Sequence, residues 1–462
     1  MKLFTYITKC WYYAVIICFG ILFSVFYLRS IFKWWYEDDP LQYARVLSIV
    51  NPFEIFTSQL LRTWSTGKSF VPMQILSYWI DVRLFGVSPR MAYIHSILSL
   101  IASMILICAV MAKLTQKKLA SMLITVIWLL LPSTLVVHQF LATRHYMEGL
   151  LFGLAAIYLT LLFPSSSILR NNLLILFIGF FTLAAMLSKE TYAAVIPTFI
   201  FICGLHKRQY RLVILMIIIA MLYAFYRIWT IGIGMDYTMP FLNLQEYLKF
   251  LLVLPYTFSA NFGGYLIYTA LFFISVILIW QKRIMALPAI LMFITLLAVS
   301  LFAIYPVSYV VLAFYKIPGT WYRAPFLINT IVLLFGGYLV TVYLPIKWQV
   351  IGLLALLTIL LPGTHTTRQL WNERMTRAEL EGKFYLENPD KLLFSEEDAY
   401  WFIPGVKSLY KVTNEHHIDK QNITGEHAQA MIKQFPIIWR FTDGQFVEDN
   451  ELYQYIRKEN IP

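Results

Sequence analysis

Long apolar stretches recur through the first 364 residues, and short polar segments separate them. A membrane-spanning helix needs about 20 mostly apolar residues, and this rule predicts eleven spans. They cover approximately 11–31, 91–113, 120–140, 149–164, 173–188, 192–206, 212–230, 264–281, 288–305, 325–343 and 348–363. After residue 364 polar residues dominate. The pattern therefore predicts an all-α polytopic membrane domain over residues 1–364 and a soluble domain over 365–462.

Three loop segments show apolar residues at helical spacing although they are too short or too polar to span a membrane. Residues 41–50 and 53–63 are separated by Asn51-Pro52, and residues 242–254 carry Glu246 on their polar side. Such segments are typical of helices that lie in the membrane interface.

The polar tail has its own pattern. Residues 425–434 predict a helix, and Thr442-Asp443-Gly444 between apolar runs predicts a hairpin. The C-terminal domain is thus expected to be a small α+β unit.

Composition supports a membrane protein, since 59% of the residues are hydrophobic and 13% are charged. A soluble domain carries about 25% charged residues. The net charge of +12 does not require a nucleic-acid partner. Basic residues without acidic neighbours occupy alternate loops, namely Lys117-Lys118, Arg170, His206-Lys207-Arg208 with Arg211, Lys282-Arg283 and Lys347. The positive-inside rule then predicts a cytoplasmic N-terminus and an exoplasmic C-terminal tail.

Acidic residues are rare in the membrane part, and nine occur before residue 365. They are Glu37, Asp38, Asp39, Glu54, Asp81, Glu148, Glu190, Asp236 and Glu246. The predicted topology places all nine on the exoplasmic side. A carboxylate near hydrocarbon is costly and tends to be functional, so we expect chemistry on that side.

Glu37-Asp38-Asp39-Pro40, after the first span, is the best candidate for a general base. A base needs a carboxylate in a partly desolvated place, where its proton affinity rises. The alternative is a solvated acidic run or a cap on the helix predicted to begin near Leu41.

Several basic residues are predicted on the same side. Lys189 and Glu190 lie between two spans that are almost directly connected, either as a neutralising pair or as a phosphate contact with Glu190 orienting the site. Arg144 and Glu148 are four residues apart and fit one helix face. Arg227 lies in an apolar run, and Arg323 lies near the end of one. A single cation in such a place usually extends its charged group to the membrane interface. Several cations that converge on one point favour binding of a lipid phosphate.

Four short motifs resemble the GT-C membrane glycosyltransferases, in particular their O-mannosyltransferase-like branch. Asp38-Asp39 matches the acidic residues of the first outer loop. Phe70-Val71-Pro72 with Asp81, Gly86, Pro89 and His95 resembles the "RP…D…G…P…H" pattern, although Val71 replaces the arginine. Pro132 with Arg144 resembles "HP…GR", with Leu131 in place of the histidine, and Ser188-Lys189-Glu190 resembles "SKE". The resemblance covers approximately residues 10–200.

The resemblance implies an inverting transfer of a sugar from a polyprenyl-phosphate donor to a glycan, lipid or protein acceptor, at the exoplasmic face of a bacterial inner membrane. Asp38 or Asp39 would be the base, and Arg144, Lys189 and Arg323 would bind the donor phosphate. The supporting residues would be Glu190, Glu148, His138, Arg227 and Tyr322. No metal ligand is assigned, although some branches use a divalent cation such as Mg²⁺ or Mn²⁺.

Two other functions remain open from the sequence. A transporter or flippase of lipid-linked glycans would also use cations on the exoplasmic side, but such proteins often contain internal repeats, and none stands out here. A glycan polymerase or ligase would depend on the arginines more than on Asp38 and Asp39.

Overall fold

The computed structural model describes residues 2–64, 70–163, 168–232, 243–281, 286–316, 322–395, 402–413, 415–419, 423, 426–442 and 445–458. Its α-helices in the membrane part are α1 Lys2–Ile21, α2 Asp39–Leu47, α3 Ser58–Trp64, α4 Pro72–Phe85, α5 Pro89–Thr115, α6 Lys118–Leu129, α7 Pro132–Gln139, α8 Arg144–Leu162, α9 Ile168–Ser188, α10 Glu190–His206, α11 Tyr210–Ile231, α12 Leu244–Ser259, α13 Gly263–Trp280, α14 Leu287–Ile304, α15 Ser308–Phe314, α16 Phe326–Tyr343 and α17 Ile346–Glu387. A π-helical turn, Leu22–Tyr27, and short 3-10 helices at Ser30–Phe32, Pro52–Phe56, Leu141–Thr143 and Tyr305–Val307 join or extend them.

Within these described residues, nine helical segments are long and apolar enough to cross a membrane. They are Trp11–Phe32, Pro89–Thr115, Leu141–Leu162, Leu169–Ser188, Tyr210–Ile231, Gly263–Trp280, Leu287–Phe314, Phe326–Tyr343 and Ile346–Glu387. The pair α6 and α7 forms a broken span bent by 63°, and α10 is a shorter apolar helix. Counting the bent pair as one span gives up to ten candidate spans, and α10 coincides with the remaining predicted span, 192–206. The chain is an integral membrane protein with the predicted all-α architecture.

The bend between α6 and α7 has a local cause. Leu131 is extended, because the residue before a proline is disfavoured in the α conformation. Pro132 cannot donate to a continuing helix, but its fixed φ suits the first turn of a new one. All eight residues of α7 are buried, so the bend places this helix inside the bundle, next to the start of α8.

The basic loops gather at one end of the bundle. Lys117 Nζ donates to the Thr341 carbonyl at 2.6 Å, and Lys207 Nζ donates to the Phe163 carbonyl at 3.1 Å. These cations also cap exposed helix ends, where positive charge is favourable. Lys282 and Arg283 of the predicted basic set lie outside the described residues.

The opposite end holds the carboxylates, and we call it the carboxylate end. There Asp39 accepts from the Ala142 backbone, and Glu190 accepts from the Phe70 backbone. These contacts join segments that are more than one hundred residues apart in sequence. Asp236, one of the nine predicted carboxylates on this side, lies outside the described residues.

The loop between the first span and α5 is largely helical. The predicted break at Asn51-Pro52 is present, because the Asn51 side chain accepts from Phe53 N and caps the 3-10 helix Pro52–Phe56. The helix α4 in the same loop was not predicted. In α12, Asn243 and Glu246 form a reciprocal capping box, which gives Glu246 a structural role.

The last membrane helix does not end where the polar tail begins in sequence. α17 continues from Ile346 to Glu387, so residue 364 lies inside it. After it come the strands β1 Leu392–Ser395, β2 His417–Asp419, β3 Ile438–Thr442 and β4 Gln445–Glu448, and the helices α18 Phe402–Tyr410, α19 Glu426–Gln434 and α20 Asn450–Lys458.

The tail strands form one sheet in the order β2-β1-β3-β4, with β3 and β4 antiparallel and the other pairs parallel. This confirms the small α+β unit and the pairing across the predicted hairpin, whose Asp443 and Gly444 lie outside the described residues. A separate apolar cluster that includes Leu392, Ile418 and Ile438 forms its core.

The tail packs directly on the segment that carries the first-loop carboxylates. Trp35 Nε1 donates to Tyr410 Oη at 3.0 Å, and Trp34 stacks on Tyr410. A Cβ at Gly405 would lie 2.7 Å from the Leu41 nitrogen, so only glycine permits this approach of α18 to α2. The soluble tail therefore braces the loop around Asp38.

Candidate active site

Asp39, at the start of α2, is fully buried and held by backbone donors. Its Oδ1 accepts from Ala142 N at 2.7 Å and its Oδ2 from Tyr36 N at 3.1 Å. Burial raises the pKa of Asp39 well above its usual range, and the two backbone hydrogen bonds oppose this rise. Both carboxyl oxygens are thus committed to joining the first loop to the connection between α7 and α8.

Asp38 and Glu37 precede Asp39 and are only half-buried. The Asp38 carboxylate does not cap α2. Glu37 has a φ of +43°, a left-handed conformation that costs a non-glycine residue about 1–2 kcal/mol. Such conformations are concentrated at functional sites. The half-buried carboxylates of Glu37 and Asp38 therefore lie next to the buried Asp39, which anchors the first loop.

Arg323 is one of two cations whose charges act on Glu37, and Arg374 is the other. Burial raises the pKa of Glu37, and the charge of Arg323 acts in the opposite direction. The guanidinium carbon lies 5.3 Å from the Phe140 ring centroid, and Phe140 packs against Tyr36 at 5.6 Å. Aromatic faces of this kind orient a guanidinium by cation–π contact.

Tyr322, the neighbour of Arg323, has an anchoring position. Its side chain is 1% exposed and its hydroxyl donates to the Tyr315 carbonyl at 3.0 Å. This bond holds the turn before α16, from which Arg323 projects.

Lys189 and Glu190 occupy the sharp connection between α9 and α10. Lys189 Nζ lies 3.7 Å from a Glu190 oxygen and 5.5 Å from the Tyr146 ring centroid. Glu190 Oε1 accepts from Phe70 N at 3.1 Å and lies 3.7 Å from Arg227 Nη2. Arg227 also donates to the Gly232 carbonyl. Glu190 therefore ties the first loop to α10 and α11, close to Lys189.

Arg144 lies in a different environment, which we call the buried ion network: Asp81, His95, Arg144 and Glu148. Arg144 Nη1 donates to Asp81 Oδ2 at 2.6 Å, and Nε lies 3.1 Å from Glu148 Oε1. His95 Nδ1 lies 2.6 Å from Asp81 Oδ1. The predicted Arg144–Glu148 pair is confirmed.

Hydroxyl groups complete the buried ion network. Arg144 Nη2 donates to Ser77 Oγ, which donates to Glu148, and Tyr43 donates to Asp81 at 2.8 Å. Burial alone would raise the pKa of Asp81, but the charge of Arg144 and the contacts with His95 outweigh it and lower that pKa. The contacts of Arg144 are internal, and its side chain is 1% exposed.

His138, at the end of α7, is also engaged internally. Its ring nitrogens lie 3.3 Å from Ser30 Oγ and 3.2 Å from Ser96 Oγ. It therefore links the end of the first span to α5.

His145 was not selected from the sequence. The charges of Lys189, Arg323 and Arg144 all act on its ring. The residue is 7% exposed, and neither ring nitrogen has a hydrogen bond of normal geometry, although the Ala142 carbonyl is near. Buried polar groups are almost always hydrogen-bonded. A buried imidazole without such a bond, under the charges of nearby cations, indicates a place for an anion. Glu37, Asp38, His145, Lys189 and Arg323 together are named the candidate site.

The part of the chain that the structure describes holds no group of three or more His, Cys, Asp or Glu side chains arranged for a metal ion.

Neither a protein-family model nor a curated protein matches this sequence. Two solved structures of ArnT from Cupriavidus metallidurans are similar to it. The apo structure has a TM-score of 0.51 at 13% identity, and the structure bound to undecaprenyl phosphate has a TM-score of 0.43 at 12% identity. Each alignment covers 95% of this chain and 98% of that chain. ArnT is a GT-C glycosyltransferase. The likeness to the apo structure shows the GT-C fold, without extending to the O-mannosyltransferase-like branch.

Proposed function

We propose that this protein transfers a sugar from a polyprenyl-phosphate donor to an acceptor hydroxyl at the carboxylate end, which faces the exoplasm. The observation that carries the proposal is the candidate site itself. Glu37 and Asp38 are half-buried carboxylates, the charge of Arg323 acts on Glu37, and the charges of Arg323 and Lys189 act on the buried His145. A base beside a set of anion-binding groups is what this transfer requires.

Asp38 is the better candidate for the base. Both Asp39 oxygens accept backbone N–H groups, so using Asp39 would disturb the anchor of the first loop. Asp38 is half-buried at the same turn. In this assignment Asp39 is a positioning residue that holds Asp38 in place.

The reaction is a single displacement. The Asp38 carboxylate takes the proton of the acceptor hydroxyl as its oxygen bonds to C1 of the sugar. The bond between C1 and the phosphate oxygen breaks on the opposite face, which inverts the configuration. The lipid phosphate leaves with the negative charge, which Lys189 and Arg323 stabilise. His145 would donate a hydrogen bond to the same phosphate.

Arg144, Glu148 and Glu190 act through other residues in this proposal. Arg144 and Glu148 belong to the buried ion network and hold α4 against α8. Glu190, with Arg227, positions Lys189. These groups would set the geometry of the candidate site without touching the donor.

An apolar groove supports a lipid-linked donor. It has a volume of about 550 Å³ and lies between α6, α13, α16 and α17. Its lining is aliphatic apart from Phe258 and a few residues at the basic end, such as Lys117 and Gln349. Arg323 precedes α16, so a polyprenyl chain in this groove would extend along the helix that begins beside the phosphate-binding group.

The test is transfer from a polyprenyl-phosphate sugar by the purified full chain in detergent. Asp38→Asn should lower turnover by about 100–10,000-fold, the usual contribution of a general base. Glu54→Gln removes an exposed carboxylate from the same loop and should leave turnover unchanged. Full activity in Asp38→Asn would remove the proposed base, and full activity in Asp39→Asn as well would exclude the whole acidic pair. Lipid movement across liposomes without new glycosidic bonds would favour a flippase instead.

A further inference from the structure

A second group of cations lies at the outer end of the first span, outside the candidate site. Arg29 has a φ of +54°, between the π-helical turn and the following 3-10 helix. Lys33 Nζ donates to Asn372 Oδ1 of α17 at 2.5 Å. Arg368, also on α17, has its guanidinium carbon 4.3 Å from the Tyr27 ring centroid. Two distant parts of the chain therefore bring three cations together.

The positive charge of this group is not balanced by the residues that act on it. The charges of Arg29 and Arg368 both act on Lys33, and Glu379 is the carboxylate that opposes them. Glu379 already accepts from Lys383 Nζ at 2.6 Å. Like charges at close range repel strongly where the dielectric constant is low, so such a group favours an anion.

One donor in the group is left without a partner. Arg368 Nε is buried and has no hydrogen-bond partner among the described residues. Because buried N–H groups are costly to leave unsatisfied, this atom indicates an acceptor that comes from outside the chain. A guanidinium also presents a fork of donors that matches the geometry of a phosphate.

The surroundings place this anion at the depth of lipid head groups. Phe26 and Phe32 on the same span are 70% and 69% exposed, as expected for side chains that face lipid. An interfacial lysine normally extends its amine towards water, whereas Lys33 turns to α17. The three cations thus lie where the end of the first span meets α17, at the depth of the lipid head groups.

We propose that Arg29, Lys33 and Arg368 bind the terminal phosphate of a membrane lipid. A phosphate monoester carries between one and a half and two negative charges at neutral pH, which suits three cations better than the single charge of a diester. The site lies outside the candidate site and does not depend on the proposed sugar transfer.

The titration of Lys33 adds support. Burial lowers the pKa of Lys33 to about 8, with Glu379 opposing and Arg368 and Arg29 reinforcing the decrease. Asn372 of α17 is its hydrogen-bond partner, and Tyr27 of the first span contacts Arg368 beside it. A bound phosphate favours charged Lys33, so affinity should fall as the pH rises through about 8.

The experiment uses the full chain in nanodiscs of phosphatidylcholine, titrated with a fluorescent phosphatidic acid, a lipid with a terminal phosphate. Lys33→Gln and Arg368→Gln should each weaken binding by about tenfold or more. Arg29→Gln changes an exposed side chain, so it should weaken binding without affecting folding. Arg90→Gln is the matched control, because Arg90 is an exposed arginine at the same end, and binding should be unchanged.

Four outcomes would overturn the proposal. Equal affinity of the wild type and Arg29→Gln would show that the cation group is not the site, and an equal loss in Arg90→Gln would indicate general charge attraction. Equal binding of phosphatidylglycerol, a diester, would contradict a terminal phosphate. Full displacement by millimolar inorganic phosphate would assign the site to the free ion. The measurement needs no sugar donor, so its failure is distinct from failure of the proposed transfer.

Discussion

The carboxylate end contains two charged regions that the protein treats differently. In the buried ion network, Arg144 is enclosed by Asp81 and Glu148, and His95 completes the set. In the candidate site, Glu37 and Asp38 remain half-buried, and the His145 ring, on which the charges of nearby cations act, has no well-formed hydrogen bond. Both regions contain the residue types of an active site.

The two regions differ in whether partners from the same chain satisfy their charged and polar groups. Every member of the buried ion network has a partner of opposite charge or a hydroxyl from the same chain, which is how proteins retain buried charge. The candidate site brings basic groups together around an imidazole that the chain does not satisfy. Charged residues that satisfy one another hold the fold, and those arranged around an unsatisfied group indicate a ligand.

The largest effect should come from breaking the buried ion network. Arg144→Gln would leave Asp81 and Glu148 buried without their cation, which typically costs about 3–5 kcal/mol. The apparent Tm of the purified protein in detergent should fall markedly. Glu148→Gln, which keeps the Arg144–Asp81 pair, should have a smaller effect. An unchanged Tm in Arg144→Gln would show that the network does not stabilise the fold.

The next effect concerns the candidate site and activity. Lys189→Gln and Arg323→Gln should each lower kcat/KM for the donor by about 10–150-fold, because a hydrogen bond to a charged group contributes about 1.5–3 kcal/mol. Their Tm should stay close to that of the wild type. Arg90→Gln controls for the lost positive charge at the same end. If these variants lose stability and keep their activity, Lys189 and Arg323 stabilise the fold and do not bind the donor.

Substitution of two histidines should change the Tm in different directions. His145→Phe removes a buried, unsatisfied ring and should maintain or raise Tm while lowering transfer about tenfold. His138→Phe would leave Ser30 and Ser96 without their partner, and it should lower Tm by an amount that corresponds to about 1–3 kcal/mol. A loss of stability in both variants would mean that His145 is a structural residue.

The smallest effect is a pH dependence of the buried ion network. The pKa of Asp81 is lowered in the folded protein, so its contribution is complete above its unfolded pKa of about 3.9. That contribution is lost as the pH falls through the lower, folded value. Melting curves at acidic pH should show this loss in the wild type and less of it in Asp81→Asn. Parallel curves would contradict the role of Arg144 in holding Asp81 charged.

Much of the fold could be predicted because its causes are local. Hydropathy alone predicts the spans, Asn51-Pro52 predicts a helix break, and the four-residue spacing predicts the Arg144–Glu148 pair. The continuation of α17 to Glu387 was missed because its second half is too polar to span a membrane, although Trp371, Met375, Ala378 and Tyr385 recur there at helical spacing and are buried. Helix α4 was missed because its interior carries Gln74 and Asp81, which other elements satisfy.

The sequence by itself determined that this is a membrane protein of many apolar helices and that its acidic residues are rare. These properties follow from transfer free energies, which each segment contributes independently. Only the tertiary structure decided that Arg144 is enclosed by Asp81, that Asp39 is held by Ala142, and that the charges of Lys189 and Arg323 act on His145. The reason is physical: a charge becomes structural or functional according to neighbours that are distant in sequence.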